Sequence, residues 1–391
     1  MKQAVILAAG EGQRLRPFTA TKPKVMLSIA GRPILQYVIE SLAQNGIRNI
    51  VLVVGYKREQ VFDYLGSGEQ FGVDITYVIQ ERQLGTAHAL AQAKAVIEND
   101  FLVLPGDNLI EDKTIARFAS MKPIAMLVRR VDNPVRYGVV TIEKGMVKNI
   151  VEKPKEAGSN MINTGIYAFT TEIFDFIEAE LDIPDVLNSM IIQGECLNAQ
   201  ETDGAWLDIV YPWDILNLND AVLRQIPAKL GGTIETGVSI KGVVSVGKDT
   251  VIRSNSYVAG PVVIGNGCDI GPNVCILPAT SIGDNVTISP FSDIKNSVIG
   301  NDVNIGSGCI IHDSVIDKGC MIKGHFTASS SQAEVKVDDE HHLVTVGAML
   351  GEGCSLGNGV VAQPGVIMGN YSQIQALKLI SGRLPDRSLV F

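Results

Sequence analysis

A short apolar strand, Val5 to Ala8, runs into Gly10-Glu11-Gly12-Gln13-Arg14-Leu15-Arg16-Pro17 and then Thr21-Lys22-Pro23-Lys24. Glycines permit a tight backbone path whose N–H groups can face phosphate, and Arg14 and Lys24 supply cations for a triphosphate. The loop is no dinucleotide fingerprint, since Leu15 stands where the third glycine belongs, and no P-loop, since Gly-Lys-Ser/Thr is missing. Farther on, Gly106-Asp107 directly follows the apolar run Phe101 to Leu104. That puts a carboxylate at the carboxyl edge of a sheet, where a hard divalent cation finds oxygen ligands.

The elements that must carry these residues alternate up to about residue 226. Short apolar runs (Val5 to Ala8, Ile50 to Val54, Ile75 to Ile79, Phe101 to Leu104) are separated by helical patterns from Pro33, near Val61 and from Thr86. The helix after Pro33 carries Ile34, Leu35, Val38, Ile39 and Leu42 on one face and stops at Asn45-Gly46. Continuous apolar strands predict a mostly parallel sheet covered on both faces.

After Pro227 the rhythm changes. Aliphatic residues recur every six positions from Ile240 through Val246, Ile252 and Val258 to Ile294, with Gly247, Gly265, Gly271 and Gly283 following several of them. The series slips through Ile299, Ile305, Ile316 and Ile322 and resumes as Val344, Leu350, Leu356, Ala362, Met368 and Ile374. A solenoid results in which each unit is one short strand and one turn and the repeated aliphatic points inward. Between Lys323 and His342 the rhythm fails, which predicts an irregular loop leaving the coils; the tail Gln375 to Phe391 is expected to cap the last coil or cross to a neighbour.

The run Leu7-Ala8-Ala9-Gly10-Glu11-Gly12-Gln13-Arg14-Leu15 with Pro23-Lys24 resembles the signature of the sugar-phosphate nucleotidyltransferases, and residues from about 233 to 376 resemble the hexapeptide-repeat family of left-handed coils. The resemblance implies an α/β Rossmann-like nucleotidyltransferase domain over 1–226, a linker over 227–239 and a left-handed parallel β-helix over 240–391. It places Leu7, Ala8, Gly10 and Gly12 at the nucleotide, with Arg14 and Lys24 on the phosphates. Gln80 with Gly85-Thr86 resembles the segment that reads a pyrimidine, an amide being able to meet the donor and acceptor edge of such a base. Gly138, Glu152, Lys153, Asn163 and Thr164 resemble the sugar-phosphate half, and Trp206-Leu207-Asp208 the place of a second carboxylate which, with Asp107, would hold Mg²⁺. Asp214 and Asp203 compete with Asp208 for that role.

For the coils the resemblance leaves two readings open. One is a second, acetyl-CoA-dependent acetyl transfer to an amino-sugar phosphate, with His325 as base and His312 as the weaker choice; the other is that the coils only oligomerise, as a homotrimer or a dimer of trimers, or regulate the transferase. Around Gln80 the chain is similar to the N-acetylglucosamine uridylyltransferase branch, and around Arg16 to the hexose thymidylyltransferases. UTP with N-acetylglucosamine 1-phosphate is therefore expected ahead of dTTP with glucose 1-phosphate. A regulatory paralogue without chemistry is the reading from another class, but it predicts damage to the glycine loop, Lys24 or Asp107, and all are intact.

Composition agrees with a small-molecule partner. Over 391 residues the formal charge is -9, so nucleic acid and anionic membrane are disfavoured. The first residues lack the flanks of a signal peptide, and the six cysteines lack C-x-x-C spacing, so buried thiols and a cytoplasmic setting are expected.

Overall fold

The computed structural model describes residues 1–391 except 178 and 179. Two compact units divide the chain in an interleaved way. Met1–Glu11, Pro23–Met26 and Ile34–Asp208 make the first; Gly12–Lys22, Leu27–Pro33 and Ile209–Phe391 make the second.

The first unit is built on a sheet of β1 (Gln3–Ala8), β2 (Asn49–Val54), β3 (Asp74–Ile79), β4 (Phe101–Pro105), β5 (Ala125–Arg130), β6 (Gly138–Glu143), β7 (Met146–Glu152), β8 (Met161–Phe169) and β9 (Asn198–Thr202). Their order is β3-β2-β1-β4-β8-β5-β9-β7-β6. Only the β3-β2-β1-β4 part has the expected continuous parallel character. From β8 onward most pairings are antiparallel, β9 with β5 excepted. Along β1 the side chains alternate between two cores: Ala4, Ile6 and Ala8 join one cluster, Val5 the other. The helix Ile34–Gln44 buries the predicted face, Ile34, Leu35, Val38, Ile39 and Leu42. Each such side chain contributes about 1.5–3 kcal/mol.

The second unit is a three-sided parallel β-helix whose short strands stack into three sheets, consistent with the left-handed coil that the repeat implies. Ile252, Ile270, Ile288, Ile305, Ile322, Leu356 and Ile374 pair coil on coil in one inward column. The glycine after an inward aliphatic is required by coil spacing: a Cβ on Gly265 would lie 2.6 Å from the Gly283 carbonyl carbon. Cys268, Cys309, Cys320 and Cys354 are buried free thiols among these coils, with Cys275 half-buried and Cys196 exposed. Burial pushes the Cys268 and Cys309 thiols up, which keeps them inert.

The segment expected to be an irregular loop is instead an antiparallel hairpin, Ser331–Val337 paired with Glu340–Val346. The coil before it is complete, since Thr327–Ala328 pairs with both the preceding and the following coil. Leu379–Ile380, Arg383–Leu384 and Leu389–Val390 carry the coils on through the tail.

The early segments assigned to this unit are fastened to it. Asn219 is fully buried; its Oδ1 accepts from Ala30 N (3.0 Å) and the Ser281 hydroxyl (2.7 Å), and its Nδ2 donates to Ala279 O (2.9 Å). Lys22 pairs with Asp317 at 2.7 Å, both side chains largely buried, and Asn370 Nδ2 donates to Pro17 O at 3.1 Å. No helix among the described residues is long and apolar enough to cross a membrane.

Candidate active site

In the first unit β1 and β4 run parallel, so the turns after them emerge at one edge. Gly106 N donates to Leu7 O (2.9 Å), and a Cβ on Gly106 would press on Val25, Ala8 and Ile6 at 3.0 to 3.2 Å. Ala8 is buried and offers backbone rather than side chain, while the half-buried Leu7 packs against the core. Lys24, in the turn Lys24–Met26, forms an ion pair with Asp107, the two side chains 22% and 17% exposed.

A short antiparallel bridge sets Trp206–Leu207 against Leu109–Ile110, so the chain on its way to Asp208 runs opposite Asn108. Asn108 lies between the two: with its amide turned to suit both neighbours, its nitrogen donates to Asp107 Oδ1 (3.2 Å) and its oxygen accepts from Trp206 Nε1 (3.2 Å). Tyr137 Oη donates to Asp208 Oδ1 at 3.2 Å. Among the described residues no group of three or more His, Cys, Asp or Glu side chains gathers as a metal cage. Asp107 and Asp208 suit Mg²⁺ all the same, because that ion keeps several waters and takes one or two carboxylates plus substrate phosphate. Asp214 is committed elsewhere, its Oδ2 accepting from Val210 N (2.8 Å) and Tyr211 N (2.7 Å). Asp203 lines a separate cavity of about 200 Å³ with Glu111, Thr114 and Arg117.

Gln80 is buried, and its Nε2 donates to Gly85 O (3.0 Å) and faces His88 Nδ1 (2.9 Å). The amide nitrogen therefore fixes the Gly85 turn. Gly85 itself is obligatory: at φ +149° a Cβ would overlap Leu181 O. Thr86 spends its N–H (2.9 Å) and hydroxyl (3.1 Å) on Asp182. His88 and Asp182 are supporting residues that sequence reasoning missed; the helix start at Thr86 was the signal that a cap was needed.

Gly138 lies opposite Glu152 in the β6–β7 ladder, and its missing Cβ leaves room for Glu152 Oε2 and Asn163. Burial pushes the Glu152 carboxyl up, helped by Asp182 and Asp185 and opposed by Lys153. Lys153 holds a left-handed turn (φ 44°) and sits 3.8 Å from Glu152. Asn163 Nδ2 donates to Tyr167 Oη (2.6 Å) while its Oδ1 accepts from Gly165 N (2.9 Å). Thr164 is buried with its hydroxyl donating to Leu127 O (2.7 Å), so it shapes β8 rather than offering a free hydroxyl to a sugar.

In the second unit Gly12 takes the left-handed conformation (φ 72°), and its carbonyl accepts from Leu15 N and the Thr19 hydroxyl. Arg14 Nε is 3.3 Å from Asp338 Oδ2, and its terminal nitrogen is 4.0 Å from Glu340 Oε1. His325 occupies an exposed left-handed corner (φ 60°) beside Gly308, with no side-chain hydrogen bond or ion pair among the described residues. His312 Nε2 is buried without a hydrogen bond and lies 3.4 Å from Asp293 Oδ2.

Lys24, Asp107 and the chain leading to Asp208 thus gather at one edge of an α/β sheet. A family model described as nucleotidyl transferase matches residues 3–225, and the chain belongs to that family. A second, described as the GMPPB C-terminal domain, matches residues 258–347. A bifunctional protein GlmU of Methanococcus maripaludis is 36% identical over 99% of this chain and 97% of its own length. A bifunctional sugar-1-phosphate nucleotidylyltransferase/acetyltransferase of Sulfurisphaera tokodaii is 32% identical over 95% of each. Among solved structures, a glucose-1-phosphate thymidylyltransferase from Bacillus anthracis superposes with a TM-score of 0.53 at 31% identity, covering 58% of this chain and 97% of the other.

Proposed function

We propose that the protein transfers a nucleotidyl group from UTP, or alternatively dTTP, to a sugar 1-phosphate, with UDP-N-acetylglucosamine as the expected product and pyrophosphate released. The observation that carries this reading is the Lys24–Asp107 pair at the end of β4, linked through Asn108 to the strand that leads into Asp208. The sugar-phosphate oxygen attacks the α-phosphorus in line as pyrophosphate departs. That nucleophile is already an anion, so no general base is required, and catalysis rests on positioning two repelling anions and neutralising charge as it develops. Asp107 and Asp208 would hold a divalent cation, which would supply charge neutralisation at the phosphates. Arg14 and Lys24 take the triphosphate, Lys153 the sugar phosphate, and Glu152 and Asn163 the sugar hydroxyls. The Gln80 carbonyl oxygen accepts from the N–H of uracil or thymine.

Acetyl transfer is a second reading, supported by the names of the two bifunctional relatives. In this chain His312 beside Asp293 is the base to test first, and His325 the base to test second. The coils are also proposed to assemble as trimers, which light scattering measures directly. Pyrophosphate release with Mg²⁺ across UTP and dTTP, paired with glucose, N-acetylglucosamine and glucosamine 1-phosphates, tests the main reading. Absence of release with every pair overturns it. Thiol release from acetyl-CoA with glucosamine 1-phosphate, lost in His312→Ala or His325→Ala, decides the second.

A further inference from the structure

The hairpin Ser331–Val346 is a built arm. Val335 and Val337 are buried, and a Cβ on Gly365 would lie 2.7 Å from Val335 Cγ2. The His342 ring lies against Tyr211 (4.2 Å between centroids) and Trp213 (5.4 Å). Tyr211 Oη donates to Glu340 Oε2 at 2.6 Å, which fixes the base of the tip. The tip carries three consecutive carboxylates, Asp338, Asp339 and Glu340, where a tight turn needs only residues tolerant of positive φ. Two of them face Arg14, and the Asp338 contact is a hydrogen-bonded ion pair.

A guanidinium recognises carboxylate and phosphate oxygens by the same geometry and charge. We propose that Asp338 and Glu340 are an internal competitor for nucleoside triphosphate at Arg14, so that the hairpin gates nucleotide binding. The inference rests on the triphosphate role of Arg14 proposed above. With 38% of Arg14 and 59% of Asp338 exposed, the pair is of the weak, solvent-screened kind. A weak pair is what such a gate needs, because a polyanion must displace it, and the apparent affinity drops only by the fraction of chains in which Arg14 is engaged.

The test compares full-length wild type with Asp338→Asn and Asp338→Asn/Glu340→Gln, taking Glu334→Gln as control because Glu334 pairs with His341 instead. Asp338→Asn is expected to lower KM for the triphosphate about two- to fivefold, the range an exposed pair allows, with kcat and the sugar-phosphate KM unchanged. The same change should have no effect in an Arg14→Gln background. A raised KM or a lowered kcat for Asp338→Asn means that the tip supports Arg14 rather than competing for it, and overturns the gate; an unchanged KM overturns it too. If Arg14→Gln is active with normal KM, the premise falls and the gate with it. Should the wild type release no pyrophosphate, the proposed function fails first. Calorimetric titration with UTP then reads the gate by itself: tighter binding to Asp338→Asn upholds it, and equal binding overturns it.

Discussion

At the scale of single residues, the proposed reaction gives the Asp107 carboxylate a divalent cation to hold. Asp107→Asn keeps an amide for Lys24 and Asn108 but removes the charge a divalent cation needs. Turnover is expected to fall by about a hundredfold or more while the far-ultraviolet circular dichroism stays that of the wild type. Glu352 offers a prediction of a different kind. Burial alone would raise its carboxyl, but hydrogen bonds from Tyr371 and Thr21 and the charges of Lys318 and Lys22 outweigh it and hold it below its ordinary value of 4.5. A carboxyl depressed in the folded state adds stability at pH above that value, and the gain is lost as pH falls through 4.5 towards the folded value. Melting temperature should therefore drop over that acidic range in the wild type, and drop less steeply in Glu352→Gln.

Residue placements were legible where a motif is local and hidden where they depend on distant partners. The glycine loop, Lys24 and Asp107 stand out by type and by position after a strand. Nothing near Gln80 announces that its amide nitrogen is used on Gly85 and His88, or that Asp182 caps Thr86 from another part of the chain. Asp214 looks as acidic as Asp208 in sequence, and nothing there announces that its Oδ2 accepts two backbone hydrogen bonds.

At the scale of elements, the coils were readable because every turn of the solenoid puts the same residue type in the same place, so a packing rule becomes a period. That rule has a measurable cost when broken. Gly265→Ala pushes a methyl group to within 2.6 Å of the next coil's backbone, and unfolding titrations should show a loss of about 2 kcal/mol or more. The hairpin escaped because its strands interrupt the period, yet Ala333, Val335 and Val337 alternate with Glu334, Lys336 and Asp338, a strand signal of period two. The antiparallel side of the first unit's sheet was concealed for a related reason. Its strands β6 and β7 show three buried residues followed by exposed ones, and scattered buried residues, respectively, rather than the unbroken apolar runs of β2 and β4.

At the scale of the whole molecule, the interleaving of the two units bears on any attempt to divide the chain. A fragment of residues 1–226 looks self-sufficient by sequence, but it removes Asp317, Gly351 and Asn370, against which Pro17 and Lys22 are held. Such a fragment is expected to bind UTP at least tenfold more weakly than the full chain, as read by calorimetry, even where its sheet folds.

The same arrangement sets an order of events during synthesis. Arg14 and its partner Asp338 are separated by 324 positions, and Asn370 meets Pro17 across 353. At roughly 5–20 residues per second, the ribosome delivers those partners something like 15–70 s after the glycine loop has emerged. Through that interval the nascent loop lacks the contacts with Asp338, Asp317 and Asn370 that it makes in the folded chain.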